Sequence, residues 1–182
     1  MSRDYKLLGW LLVSFAAVEL VNFFTARTLN HLGILPREAH SLWGIVLAPW
    51  LHGSISHFLS NIVPLAVFGA LMLEYGLKRY LLVSLWIIVF TGLMVWLFGR
   101  SAYHIGASGL VYGQFGFLLL AGFYHRKLVK ILISVLVVVF YGSLVFGILP
   151  TQHFISWESH LFGLVSGLIA ARYWNGRPVE KS

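Results

Sequence analysis

Gly106-Ala107-Ser108-Gly109-Leu110-Val111-Tyr112-Gly113-Gln114-Phe115-Gly116 opens an apolar run with a hydroxyl at its head. Glycines 106, 109, 113 and 116 recur at spacings of three and four, so on a helix they strip side-chain bulk from one face. A reciprocal small surface follows near the C-terminus, where His160 precedes Gly163 and Gly167. Polar groups at the head of apolar segments need a reason, and close approach of the two surfaces would bring an imidazole to a hydroxyl, as nucleophilic catalysis requires. A glycine-zipper contact without chemistry accounts for the glycines equally well at this point.

The surrounding composition sets the solvent. Of 182 residues, 59% are hydrophobic and only 10% charged, with a mean hydropathy of +0.83; a soluble domain carries roughly 25% charged residues. The chain therefore reads as an all-α polytopic membrane protein, one membrane domain over residues 1–182 embedded in a lipid bilayer. Six apolar stretches are expected to span it: 7–24, 55–73, 80–98, 109–123, 129–149 and 160–174. The fourth and sixth are the shortest and are rich in glycine, and a short span is tolerated if it starts inside the protein rather than at the lipid surface. The absence of cysteine excludes disulfides and thiolate chemistry.

A formal charge of +7 would suggest nucleic acid in a soluble protein, but its distribution here is topological. Of thirteen Lys and Arg, only Arg27, Arg37 and Arg100 fall on one side of the six stretches. The others are Arg3, Lys6, Lys78, Arg79, Arg126, Lys127, Lys130, Arg172, Arg177 and Lys181. This bias predicts an even number of spans with both termini cytoplasmic and no nucleic-acid partner. The first stretch lacks a small-residue cleavage pattern and completes the even count, so it reads as a span.

The longest connection, residues 25–54, carries Pro36 and Pro49 and is apolar around Trp43 to Leu51. It is expected to embed at the outer interface, provided its backbone groups find partners. Just beyond it, His57 and Asn61 share one face of the second span, with His52 upstream. Asn is a poor metal ligand and a good donor, so donation to a developing oxyanion suits the pair better than metal binding. Polar cohesion between helices is the plainer alternative.

With His52-x4-His57-x3-Asn61, Gly106-x-Ser108-Gly109-x2-Tyr112-Gly113 and His160-x2-Gly163-x3-Gly167 in this order, the chain resembles the rhomboid family of intramembrane serine proteases over nearly the whole of a minimal six-span bacterial core. The resemblance implies a six-helix rhomboid-like bundle in a bacterial cytoplasmic membrane. Its Ser108–His160 dyad would cut transmembrane protein substrates near the external face, with no metal, organic cofactor or obligate protein partner. Ser108 would be the nucleophile and His160 the base. The oxyanion would sit against the Ser108 backbone N–H, His57 and Asn61. Tyr112 would pack on the imidazole, His52 would brace the outer connection, and Gly106, Gly109, Gly163 and Gly167 would support close packing. No acidic third member is required, so Glu158 is expected in an external loop. Two departures stand out. Gly44 follows Trp43 where the family often has arginine, which removes a multi-donor side chain that could tie down the outer connection, and Ser159 stands where alanine is common. A catalytically inactive rhomboid-like helix-binding protein and a small membrane transporter are the alternatives.

Overall fold

The computed structural model describes residues 3–150 and 155–175; Arg177 and Lys181 lie outside them. Among the described residues there are seven α-helices: α1 (Arg3–Phe24), the short α2 (Gly44–Leu47), α3 (Ile55–Leu73), α4 (Leu77–Phe98), α5 (Ser108–His125), α6 (Leu128–Tyr141) and α7 (Trp157–Asn175). Four segments are long and apolar enough to cross a membrane: Arg3–Phe24, Ile55–Leu73, Leu77–Phe98 and Leu128–Ile148. The molecule is thus an all-α, polytopic integral membrane protein.

Helices α5 and α7 correspond to the fourth and sixth expected stretches but are not among the four. Their surroundings explain why. Thirteen of the eighteen residues of α5 are buried, and α5 packs against α3, α4, α6 and α7. A helix in contact with protein on every side gains nothing from a uniformly apolar surface, so it can carry four glycines and Gln114. The core lies around it, with Phe68, Ile87, Phe115, Phe117 and Leu118 fully buried. Polar side chains add specific ties: Gln114 Nε2 donates to Ser84 Oγ at 3.3 Å and Ser134 Oγ to the Leu118 carbonyl at 2.6 Å. Large apolar side chains such as Val13, Leu85, Val139 and Phe140 are instead exposed, as lipid contact requires.

Helices α1 and α4 begin a few residues before the expected stretches, at Arg3 and Leu77, and two further differences bear on the site. The fifth stretch is not one uniform helix, since α6 ends at Tyr141 and Gly142–Ile148 tighten into a 3-10 turn. The last helix starts at Trp157 rather than His160, so Glu158 belongs to its first turn and is buried rather than exposed in a loop. A carboxylate there complements the helix dipole. It also lies 3.6 Å from Arg100 Nε, which offsets its burial.

Candidate active site

Ser108 is the first residue of α5, and the chain reaches it through Gly106 at φ +112°, a conformation that side-chain-bearing residues rarely adopt. Position as well as angle demands glycine: a Cβ on Gly106 would stand 2.6 Å from His57 Nε2 and 3.9 Å from Asn61 Nδ2. The two side chains expected to face an oxyanion therefore converge just upstream of Ser108. At this helix start the N–H groups of the first turn have no intrahelical partner and carry the positive end of the helix dipole.

Helix α7 lies against the same face of α5. A Cβ on Gly163 would collide with the Gly109 carbonyl and one on Gly167 with the Gly113 carbonyl, while one on Gly116 would stand 2.6 Å from the Leu164 carbonyl. The reciprocal small surfaces thus meet backbone to backbone. One turn beyond Ser108, the Tyr112 ring stacks on His160 with centroids 4.1 Å apart and planes 5° from parallel. Among the described residues no hydrogen bond joins Ser108 Oγ to the His160 imidazole.

The two histidines are held in opposite tautomers. His160 Nδ1 lies 2.8 Å from the Gly147 carbonyl, which can only accept, so Nδ1 carries the proton and Nε2 keeps its lone pair. His57 Nδ1 accepts from the Gly53 N–H at 3.4 Å, so its proton sits on Nε2, the nitrogen nearest Gly106. One ring is prepared to take a proton and the other to donate one. Asn61 Nδ2 donates to the His57 carbonyl at 2.8 Å, leaving its second N–H available. Sequence reasoning missed Gly147, because a backbone carbonyl contributed by a 3-10 turn leaves no side-chain signature.

The connection over residues 25–54 packs onto α1. Trp50 stacks on Phe15 at 4.6 Å and donates to Ser14 Oγ at 3.1 Å. The His52 carbonyl accepts from Asn22, Arg27 and Asn30 at 3.2, 3.1 and 3.3 Å, and Arg27 pairs with Glu19 at 2.6 Å. The His52 ring meets His57 edge to face at 5.1 Å. A Cβ on Gly44 would lie 2.5 Å from the Gly33 carbonyl carbon, so the turn admits only glycine, and the fastening arginine comes from elsewhere. Arg37 donates to the Leu97 and Gly99 carbonyls at 3.4 and 2.8 Å and to Ser101 Oγ at 3.1 Å, clamping the connection to the α4–α5 junction.

Burial holds the His52 imidazole down to about 3 from its ordinary 6.5, helped by the neighbouring His57 charge. His104 is likewise lowered by burial, against the opposing effect of its bond to the Arg100 carbonyl. The unfolded chain therefore binds protons that the folded one refuses. Stability is complete above about pH 6.5 and falls by roughly 1.4 kcal/mol per pH unit for each such group below it, until the folded state itself protonates. Melting in detergent should accordingly drop between pH 7 and pH 4.5, and the drop should shrink in His52→Gln; equal pH slopes for the two proteins would exclude His52 as a source.

A family model described as Rhomboid domain matches residues 39–175. An uncharacterized protein of Mycobacterium tuberculosis is 37% identical over 174 residues, covering 91% of this chain and 72% of the relative. RHOMBOID-like protein 1 of Arabidopsis thaliana is 31% identical over 166 residues, 85% of this chain and 41% of that longer protein. Inactive RHOMBOID-like protein 8 of the same plant is 29% identical over 121 residues, 64% of this chain and 34% of the relative.

Proposed function

Because the chain belongs to the rhomboid family of membrane proteins, we propose that it is an intramembrane serine endopeptidase, with Ser108 as nucleophile and His160 as general base. The observation that carries this assignment is the His160 Nδ1 bond to the Gly147 carbonyl, which leaves Nε2 unprotonated beside the α5 face that bears Tyr112 and Ser108. The carbonyl does for the imidazole what a carboxylate does in a triad: it selects the tautomer and restricts the ring.

In the proposed cycle His160 Nε2 takes the Ser108 hydroxyl proton as Oγ attacks a substrate carbonyl. The resulting oxyanion is met by the Ser108 N–H, His57 Nε2–H and the free Asn61 N–H. Collapse breaks the C–N bond, the leaving amine takes the proton from His160, and water then hydrolyses the ester by the same route. The substrate is a transmembrane segment that unwinds near its external end, since a carbonyl within a helix is already hydrogen-bonded. The topology that goes with this is a six-span bundle in a bacterial cytoplasmic membrane with both termini inside. An inactive member would be expected to have lost the nucleophile or the base, and Ser108 and His160 are both present.

Fluorophosphonate labelling of the folded protein in bilayers, with the adduct mapped by mass spectrometry, tests the assignment. Modification at Ser108 supports it; a folded protein that stays unlabelled, or is labelled elsewhere, overturns it. For the oxyanion donors a graded result is expected. His57→Ala should lower kcat by roughly 10²- to 10³-fold, and Asn61→Ala by less, because one of its N–H groups is already bonded within α3. Equal kcat values for wild type and His57→Ala on a cleaved reporter would remove His57 from this role.

A further inference from the structure

His104 lies four residues before Ser108 and Ser156 four residues before His160, and the two side chains are hydrogen-bonded at 2.6 Å. The direction of every bond around them is determined. His104 Nε2 faces the Arg100 carbonyl at 3.0 Å and must donate, so Nδ1 accepts the Ser156 hydroxyl proton. Ser156 Oγ accepts in turn from the Ser159 hydroxyl at 2.7 Å and from the Ser159 N–H at 3.4 Å. The Ser159 hydroxyl, absent where alanine is usual, is the first donor in this relay. The His104 backbone also exchanges both of its hydrogen bonds with Ile34, at 3.0 and 2.8 Å. One buried residue thus joins the outer connection, the α4–α5 junction and the start of α7.

We propose that the His104–Ser156 bond is a positioning element that sets where His160 stands along α5 relative to Ser108; this rests on the assignment of those two residues as base and nucleophile. The glycine contacts fix how near the α5 and α7 axes come, but smooth surfaces of that kind resist sliding weakly. Arg100 also ties this junction to the start of α7 through Glu158 and the Ile155 carbonyl, and the His104–Ser156 bond adds a constraint that reaches both reacting groups because the arms leading from it are stiff. From Ser156 to His160 the chain is one helical turn, closed by the His160 N–H on the Ser156 carbonyl at 3.3 Å. From His104 to Ser108 it runs through Gly106, whose N–H is held by the Ala48 carbonyl at 2.9 Å. A displacement at the bond therefore reaches both reacting groups, and misplacement by 1 Å can cost about 10²-fold in rate.

The test compares wild type with Ser156→Ala, Ser156→Thr and Ser159→Ala in proteoliposomes. Measured are kcat and KM on a transmembrane reporter, melting temperature, and the histidine ¹⁵N NMR spectrum. Ser156→Ala should lower kcat by roughly 30- to 100-fold with KM within about twofold. Ser156→Thr should restore most of kcat, and Ser159→Ala, which keeps the central bond, should fall only slightly. A kcat loss that merely follows the folded fraction overturns the proposal in favour of simple helix capping, and one that Thr does not rescue overturns it outright. If wild type neither labels nor cleaves, the protease assignment fails, and the spectrum still decides the linkage. His104 must then show the Nε2–H tautomer, and Ser156→Ala must move the His160 resonances; unmoved His160 resonances overturn it.

Discussion

Ser108→Ala is expected to abolish fluorophosphonate labelling and to lower cleavage of a transmembrane reporter by a factor on the order of 10⁶, the scale seen when an activated serine is removed. The fold should survive. Ser108 Oγ makes no hydrogen bond that the helix start depends on, and Ala107 already occupies the N-cap without a side-chain cap. Alanine retains the Cβ, so the packing of α5 on α7 is untouched. Melting temperature and detergent elution volume should therefore match wild type, which separates lost chemistry from lost structure. Residual cleavage above one-hundredth of wild type would show that another group supplies the nucleophile.

The largest effect on stability is expected from Gly167→Ala. Its new methyl group would occupy the position of the Gly113 carbonyl oxygen, and a backbone atom inside a helix cannot step aside as a side chain can. The two helices must separate, and dispersion contacts along their whole interface weaken together. The cost should reach or exceed about 3 kcal/mol, the upper end for overpacking. Gly9→Ala is the matched control. A Cβ at Gly9 meets nothing within 4 Å, and alanine gains roughly 1 kcal/mol of helix propensity, so that variant should melt at or slightly above wild type. Gly109→Ala falls between them, because its nearest obstacle is the movable Thr91 methyl at 2.9 Å. Melting of Gly167→Ala at the wild-type temperature would refute backbone-to-backbone packing of α5 on α7.

What the sequence disclosed and what it hid divide along a physical line. The periodic glycines announced a close helix pair, because three- and four-residue spacing maps directly onto a helix face. Tyr112 against His160 was legible only through the family resemblance, as a ring one helical turn beyond Ser108. Contacts made by backbone atoms had no such signature. Neither the Gly147 carbonyl that fixes His160 nor the Gly33 backbone that forces glycine at 44 could be read from residue types. Arginines were legible as a count but not as partners. Arg27, Arg37 and Arg100, which fall on the side poorer in cations, each fasten a connection by bonding main-chain carbonyls far away in sequence. Helix α7 begins three residues before the apolar run that marks it in the sequence, because its first turn includes the polar Glu158 and Ser159.

The enclosure of α5 has a consequence for biogenesis. A nascent segment enters the bilayer by partitioning on its own hydrophobicity, and the four apolar segments can do so one at a time as they leave the translocon. α5 is synthesised before α7, the helix whose surface matches its own, and its glycine-lined face is poorly matched to lipid. On the six-span topology proposed above, α5 must wait at the translocon or the interface until Trp157–Asn175 has been made. A ribosome-stalled chain that ends before Trp157 should therefore leave α5 accessible to aqueous labelling reagents, and release of about twenty further residues should bury it.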